Sequence, residues 1–442
     1  MKNKIAAYVF SSNACSAYKI DSYDVRRFTG LEMIRDSLIR GGCDVGYCGK
    51  DTAEKYDIVL VSITSSIDWW QYIREREQWG GNPCAVIGGA GVLNVRPFLK
   101  WFDIAVFGRG ENIILGLVKS IMSGDRYDSD SVCYSSDFNP SDDYKIAQAA
   151  ECYPHELAVP NRIGAKKKGW SERSIGCKRS CSFCAYTWHR TKRYTSVESY
   201  TSGGDNEKTM LDLDINKPAT WDLPHLRNIG LDGLSEKTRM SVNKPITSAM
   251  FRKFLTGLAH HDKPHQLKLY CVAGLPGETE EDWLEHLEDI SGVDEGLGKQ
   301  KQWSLLLMVS PFRAMPATPA AGWPMSKRCY RSNSVSAFLK RPNMKGNIYF
   351  QGNAFWAVEG MGTNSLSSIA LDAIVLRGIE SDSEAVSRIA LSRRFWNASA
   401  SRKLATLEQQ FNLDLLFGEY SMPELPTRYL QGKIKMRKLT KT

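Results

Sequence analysis

Residues Trp170-Ser-Glu-Arg-Ser-Ile-Gly-Cys177-Lys-Arg-Ser-Cys181-Ser-Phe-Cys184 carry three cysteines in a C-x3-C-x2-C pattern. Three thiolates on one short loop can each hold one iron of a 4Fe-4S cube, which leaves the fourth iron without a protein ligand and open to another molecule. Structural zinc competes for the same thiols, because His189 lies five residues past Cys184 and a Cys3His set closes a tetrahedron. Zinc loops usually pair two knuckles and this stretch has one, so the spacing favours the cluster.

Outward from that loop, 442 residues suffice for two or three domains, and 42% hydrophobic with 24% charged residues is ordinary for a globular chain. Apolar runs such as Leu305–Val309 fall far short of the ~20 residues of a membrane span. Ile5–Phe10 is shorter than the ~7–15 apolar residues of a secretory signal and reads as a buried strand, which predicts a cytoplasmic protein with no membrane partner. Eleven cysteines in a reducing compartment are then mostly thiols. The net charge of +9 is uneven: between Arg162 and Arg193 there are ten Lys or Arg and one acid, Glu172. These cations either offset bound anionic groups and form a solvated face, or meet an anionic substrate such as nucleic acid.

Residues 1–123 alternate strands and helices as a parallel sheet requires. Thr29 with Glu32 reads as a capping box opening a helix whose Leu31, Ile34 and Leu38 share a face, ended by Gly41-Gly42. Asp57–Ile63, Ala85–Ile87 and Asp103–Phe107 read as strands, the last two running into Gly88-Gly89 and Gly108-Arg-Gly110. Glycine turns at the carboxyl ends of parallel strands are where such sheets bind ligands.

The cysteine loop, with Phe183 before its last cysteine, resembles the signature of radical S-adenosylmethionine (SAM) enzymes. That resemblance implies a 4Fe-4S cluster held by Cys177, Cys181 and Cys184, whose open iron binds the amino and carboxylate groups of SAM. One electron then breaks the sulfonium bond and yields a 5'-deoxyadenosyl radical, the electron coming from an external reductant such as flavodoxin or ferredoxin.

The order Gly30-Leu-Glu-Met-Ile-Arg-Asp-Ser-Leu, the strand to Ser62, Val86-Ile-Gly-Gly and Phe102-Asp-Ile-Ala-Val-Phe-Gly-Arg-Gly-Glu111 resembles the cobalamin-binding Rossmann domain found ahead of some radical SAM domains. It implies a crevice lined by Ser62, Thr64, Ser65, Gly88, Gly89, Gly108 and Gly110. The sequence lacks Asp-x-His-x-x-Gly, so cobalamin would bind without a lower histidine from that motif, and Arg109 stands where the family more often has an acid. Cys15, Cys48 and Cys84 miss the positions at which methylthiotransferases hold a second cluster, and read as ordinary buried thiols.

Gly124 to Lys168 reads as a surface linker. Trp170–Ile175 is expected as the first strand of a barrel with the cysteine loop at its carboxyl end, and Thr209–Ile215 as the next. Gly230-Leu-Asp-Gly-Leu-Ser-Glu236-Lys-Thr-Arg239 resembles the family's strand and turn for the SAM ribose and carboxylate, implying contacts from Glu236 and Arg239. Leu267-Lys-Leu-Tyr-Cys-Val-Ala-Gly-Leu-Pro-Gly-Glu-Thr279 resembles the strand whose end, here Ala273-Gly274, lies against adenine. Asp212 or Asp214 is expected to bind the SAM amino group. Trp303–Val309 is a further strand, while Ile369–Ile379 and Glu384–Leu391 read as helices.

The expected architecture is α/β: a doubly wound Rossmann-like sheet of the cobalamin-binding type over 1–123, a linker over 124–168, a partial (β/α) TIM-like barrel over 169–325 and a mainly helical part over 326–442. The implied activity is radical methylation of an unactivated carbon, with methylcobalamin as methyl donor and a second SAM recharging the cobalt. Two rivals stand beside it, a cobalamin-independent radical SAM enzyme and a zinc-bearing nucleic-acid binder.

Overall fold

The computed structural model describes residues 4–11, 29–64, 68–93, 95–139, 144–147, 151–160, 167–172, 174–175, 181–184, 195–196, 209–210, 227–233, 235–259, 265–279, 281–282, 285, 303–315, 318–325, 348–351, 354–360, 388–389, 391–396, 398 and 400–410. The chain divides into two units, the first comprising Met1–Lys178, Ala185–Tyr200 and Ala370–Gln410, the second Arg179–Cys184, Thr201–Ile369 and Phe411–Thr442.

In the first unit β1 (Ile5–Tyr8), β2 (Val45–Cys48), β3 (Ile58–Ser62), β4 (Cys84–Gly88), β5 (Ile104–Val106) and β6 (Val132–Tyr134) form one sheet in the order β2-β1-β3-β4-β5-β6. The first five are parallel and β6 runs antiparallel to β5. Side chains alternate across a strand. Ile5, Ala7, Ile58, Leu60, Val86, Ile104 and Val106 therefore share a core with Leu31 and Leu38 of helix α1 (Thr29–Arg40) and Leu117 and Val118 of α3 (Ile114–Ser123). Tyr8, on the opposite alternation, packs its ring on Trp79, just past helix α2 (Asp68–Arg76), and Trp69 of α2 stacks on Phe98 at 4.1 Å. The strand order reverses between β1 and β3, the place where open parallel sheets leave a crevice beyond their carboxyl ends.

Three expectations change here. Thr29 lies inside helix α1 and so does not cap it, and the Glu32 carboxylate accepts from the Tyr47 hydroxyl at 2.7 and 3.0 Å. The stretch read as a surface linker supplies β6, and it packs Tyr153 and Leu157 on Met33 of α1. It also opens the pair β7 (Leu157–Pro160) with β8 (Lys167–Trp170). A three-residue edge strand is too short to leave a period in sequence. Trp170–Ile175 is no single strand either: β8 ends at Trp170, and β9 (Ser174–Ile175) pairs with β10 (Thr195–Ser196) in a separate two-stranded sheet.

The second unit is built on β11 (Thr209–Met210), β12 (Arg227–Asp232), β13 (His265–Ala273), β14 (Trp303–Pro311), β15 (Ile348–Gln351) and β16 (Ala354–Gly360), ordered β11-β12-β13-β14-β16-β15. All are parallel except β15, which pairs antiparallel with β16. The β13–β14 ladder runs unbroken from His265↔Trp303 to Ala273↔Pro311. Residues 348–360 were expected to belong to a mainly helical region; their aromatic and β-branched content, Ile348-Tyr-Phe and Ala354-Phe-Trp-Ala-Val, favours strand instead. Helical structure past residue 380 includes Arg393–Trp396 and Ala400–Gln410. Ile369–Ile379 lies outside the described residues. No described helix is long and apolar enough to cross a membrane.

Candidate functional site

The cysteine turn is held by its backbone. Ser182, 2% exposed, donates its N–H to the Val242 carbonyl at 2.9 Å, and its own carbonyl accepts from Ala320 N at 3.1 Å. Cys184 N donates to Cys181 O at 3.1 Å, closing the turn between the two thiols. Val242 caps the helix that follows β12, and Ala320 lies beyond β14, so segments leaving the carboxyl ends of two parallel strands grip this turn. Cys181 is buried, while Phe183 and Cys184 are half-buried. Cys177 and His189 lie outside the described residues, and among those described no three His, Cys, Asp or Glu side chains gather to hold a metal. Soft thiolates on a closed turn fit iron–sulfur ligation.

The turn after β12 is welded internally. Ser235 caps helix Glu236–Ser241 in a capping box with Thr238. Ser235 Oγ also donates to Asp282, whose other oxygen accepts from Thr279 N at 2.8 Å. Arg239 is 0% exposed; it donates from Nε to Ile246 O at 2.7 Å and from Nη2 to Ser248 Oγ at 2.8 Å. Glu236 accepts from Ser248 N at 2.8 Å through Oε2, and its own N–H donates to Glu285. The two residues expected on SAM thus spend these groups holding their own turn.

Residues with no assigned role in the sequence reading stand at the strand end instead. Asp232 closes β12 with φ 66°, and its Oδ2 accepts from Lys244 Nζ at 2.6 Å. The signal was present as an acid at a strand end and a lysine five residues past Arg239, but a pairing twelve residues apart depends on the turn between them. Beside Asp232 in register sits Cys271, whose thiol burial drives far above its ordinary range, with the Asp232 charge adding to the effect. At the end of β13, Ala273 pairs with Pro311, and Gly274 N and Leu275 N donate to Glu278 Oε2 at 3.1 and 3.3 Å. Asp212 and Asp214 lie outside the described residues.

In the first unit, Ser62 Oγ and Thr64 Oγ1 lie 3.4 Å apart at the end of β3, and Thr64 N donates to Asp68 at 2.8 Å. Ser65 lies outside the described residues. Gly88 ends β4, and a Cβ there meets Val106 O at an ordinary 3.7 Å. Gly89 has φ +106°, and a Cβ would come 2.7 Å from Ile63 O. Gly108 has φ +88°, and a Cβ would come 2.5 Å from Ala147 O, because residues 144–147 lie against this turn. Gly110 faces Ile34. The β5 turn is therefore filled by protein, whereas Ser62 and Thr64 stand at the end of β3, beside the β1–β3 reversal, with Gly88 of β4 paired to Ser62 on the other side. Burial pushes the Cys48 and Cys84 thiols up to about 12, which agrees with their reading as ordinary thiols; Cys15 lies outside the described residues.

Fold and site together define a two-unit α/β protein with a cysteine turn gripped by segments that follow two strands of a parallel sheet. By structure it is similar to the radical S-adenosylmethionine methyltransferase TsrM from Kitasatospora setae, solved with cobalamin and a 4Fe-4S cluster bound, at TM-score 0.45 and 14% identity over 74% of this chain and 80% of that one. It is also similar to OxsB, a cobalamin-dependent S-adenosylmethionine radical enzyme solved with aqua-cobalamin and S-adenosylmethionine bound, at TM-score 0.30 and 11% identity. That match covers 99% of this chain and 61% of OxsB, so the chain spans less than two thirds of that neighbour. No family model matches the sequence, and no curated protein is similar to it in sequence.

Proposed function

We propose that this chain is a radical SAM enzyme of the cobalamin-binding type, a methyltransferase acting on an unactivated carbon. The observation that carries the reading is the Cys181–Cys184 turn, closed on itself and gripped through Ser182 by the segments following β12 and β14. Cys177, Cys181 and Cys184 hold the cluster. Asp232 and Lys244, an acid and a cation side by side at a strand end, offer partners for the amino and carboxylate groups of SAM. Arg239, Glu236, Asp282 and Glu285 keep that strand end in place, and Phe183 helps fix SAM. Ser62, Thr64 and Gly88 flank the crevice proposed for cobalamin. When bound, the cluster supplies one-electron cleavage of SAM, and cobalamin supplies a methyl carrier. The electron comes from an external reductant of the flavodoxin or ferredoxin kind, in the reducing cytoplasm that such a cluster needs.

The first experiment is anaerobic purification, reconstitution with iron and sulfide, and assay of the reduced protein with SAM for 5'-deoxyadenosine beside a Cys181→Ala control. Cysteine-dependent product is expected. Folded protein that takes up zinc in place of iron and cleaves no SAM overturns the reading in favour of a zinc-bearing module.

A second reading, radical SAM chemistry without cobalamin, is favoured by one observation: the Gly108 and Gly110 turn is packed against Ala147 and Ile34. Titration with hydroxocobalamin, followed by absorbance after gel filtration, separates the two.

A further inference from the structure

Arg109 and Glu172 are 63 positions apart, yet their side chains form a two-pronged pair, Nη1 to Oε1 and Nη2 to Oε2, both at 2.7 Å. Arg109 Nε also donates to Glu111, and the three side chains are only 8–14% exposed. Burial alone would lower the arginine's pKa, but its bonds to Glu172 and the charge of Glu111 outweigh it and keep the cation protonated. The arginine projects from a fixed point, since its own N–H donates to Ala147 O at 3.0 Å beside Gly108. Glu172 is fixed a second time, accepting from Tyr153 N at 2.7 Å.

Glu172 is the one acid among ten cations between Arg162 and Arg193, and it falls in the break between Trp170, which ends β8, and Ser174, which starts β9. It stands five residues ahead of Cys177. We propose that Arg109 is a positioning residue: through Glu172 it anchors the chain that leads into the cysteine loop, setting the point from which that chain departs. The fork geometry is what a planar guanidinium provides and an ammonium does not. The anchor itself is independent of the proposed function; its consequence for a cluster rests on that reading.

The test is amide hydrogen exchange, read by mass spectrometry, on the full metal-free chain and on Glu172→Gln and Arg109→Lys, which preserve shape and charge respectively. Peptides covering 168–184 are expected to exchange about tenfold faster in both variants. Those from β1, β3 and β4 keep their protection. Unchanged exchange over 168–184 overturns the anchor, and so does a uniform rise across the first unit, because the pair is then a general stabiliser. After reconstitution with iron and sulfide, the reduced cluster of Glu172→Gln is expected to give an altered paramagnetic resonance signal on adding SAM, at unchanged iron content. A wild-type signal in that variant also overturns the positioning role. Wild-type protein that binds no iron, while the two variants show the exchange effect, overturns the proposed function and leaves the anchor standing.

Discussion

Lys244 places its ammonium 2.6 Å from the Asp232 carboxylate at the carboxyl end of β12, with the two side chains 6% and 19% exposed. Removing one member of a mostly buried pair leaves a charge without its partner, which costs more than removing both. Lys244→Met is therefore expected to lower unfolding free energy by about 2–4 kcal/mol in urea titrations, with Asp232→Asn/Lys244→Met recovering at least half of the loss. A double variant whose loss equals the sum of the two single losses would show that the two residues act separately.

Arg239 donates to a backbone carbonyl and a serine hydroxyl from a fully buried position, so its loss strands acceptors and opens a cavity. Arg239→Met is expected to cost about 2–4 kcal/mol, read as a lower thermal midpoint in metal-free protein. An arginine that served only SAM would leave the midpoint alone and weaken SAM binding.

Gly108 and Gly124 both have positive φ, at +88° and +79°, but a Cβ on Gly108 meets Ala147 O at 2.5 Å while one on Gly124 meets nothing within 4 Å. Gly124→Ala should cost about 1 kcal/mol, the backbone term alone. Gly108→Ala should cost at least about 2 kcal/mol, as steric overlap adds to it. Paired denaturation curves check the order, and equal costs would mean that residues 144–147 do not sit against the β5 turn.

Burial by itself would raise the Asp36 carboxyl, but hydrogen bonds from Tyr153 and Arg40 hold it below its ordinary 3.8. A depressed carboxylate adds stability that is present above the unfolded value and lost as pH falls through the folded one. Tyr153→Phe should thus be less stable than wild type by about 1 kcal/mol at pH 7, and the gap should narrow as pH drops below 3.8. Thermal midpoints from pH 7 to pH 2.5 measure this; a gap that does not depend on pH would assign the loss to packing alone.

Strands Asp57–Ile63 and Leu267–Ala273 were legible because a run of apolar and β-branched residues bounded by turn residues is a local property, and β3 and β13 fall on those runs. The antiparallel pair β15 and β16 was missed: it lies in a region expected to be mainly helical, and pairing of β16 with β14, far away in sequence, decides its state.

By itself, the sequence determined the three-cysteine spacing, the alternation that builds the parallel sheets and the glycines at their strand ends, all set by neighbours along the chain. Only the tertiary structure decided which charges meet. Arg239 turned to Ile246 and Ser248, Lys244 met Asp232, and Glu172 joined Arg109 across 63 positions. Along the sequence a charged side chain finds at most a helical neighbour, as Asp36 finds Arg40; a distant partner is chosen when folding brings separated backbone together and burial makes an unpaired charge costly.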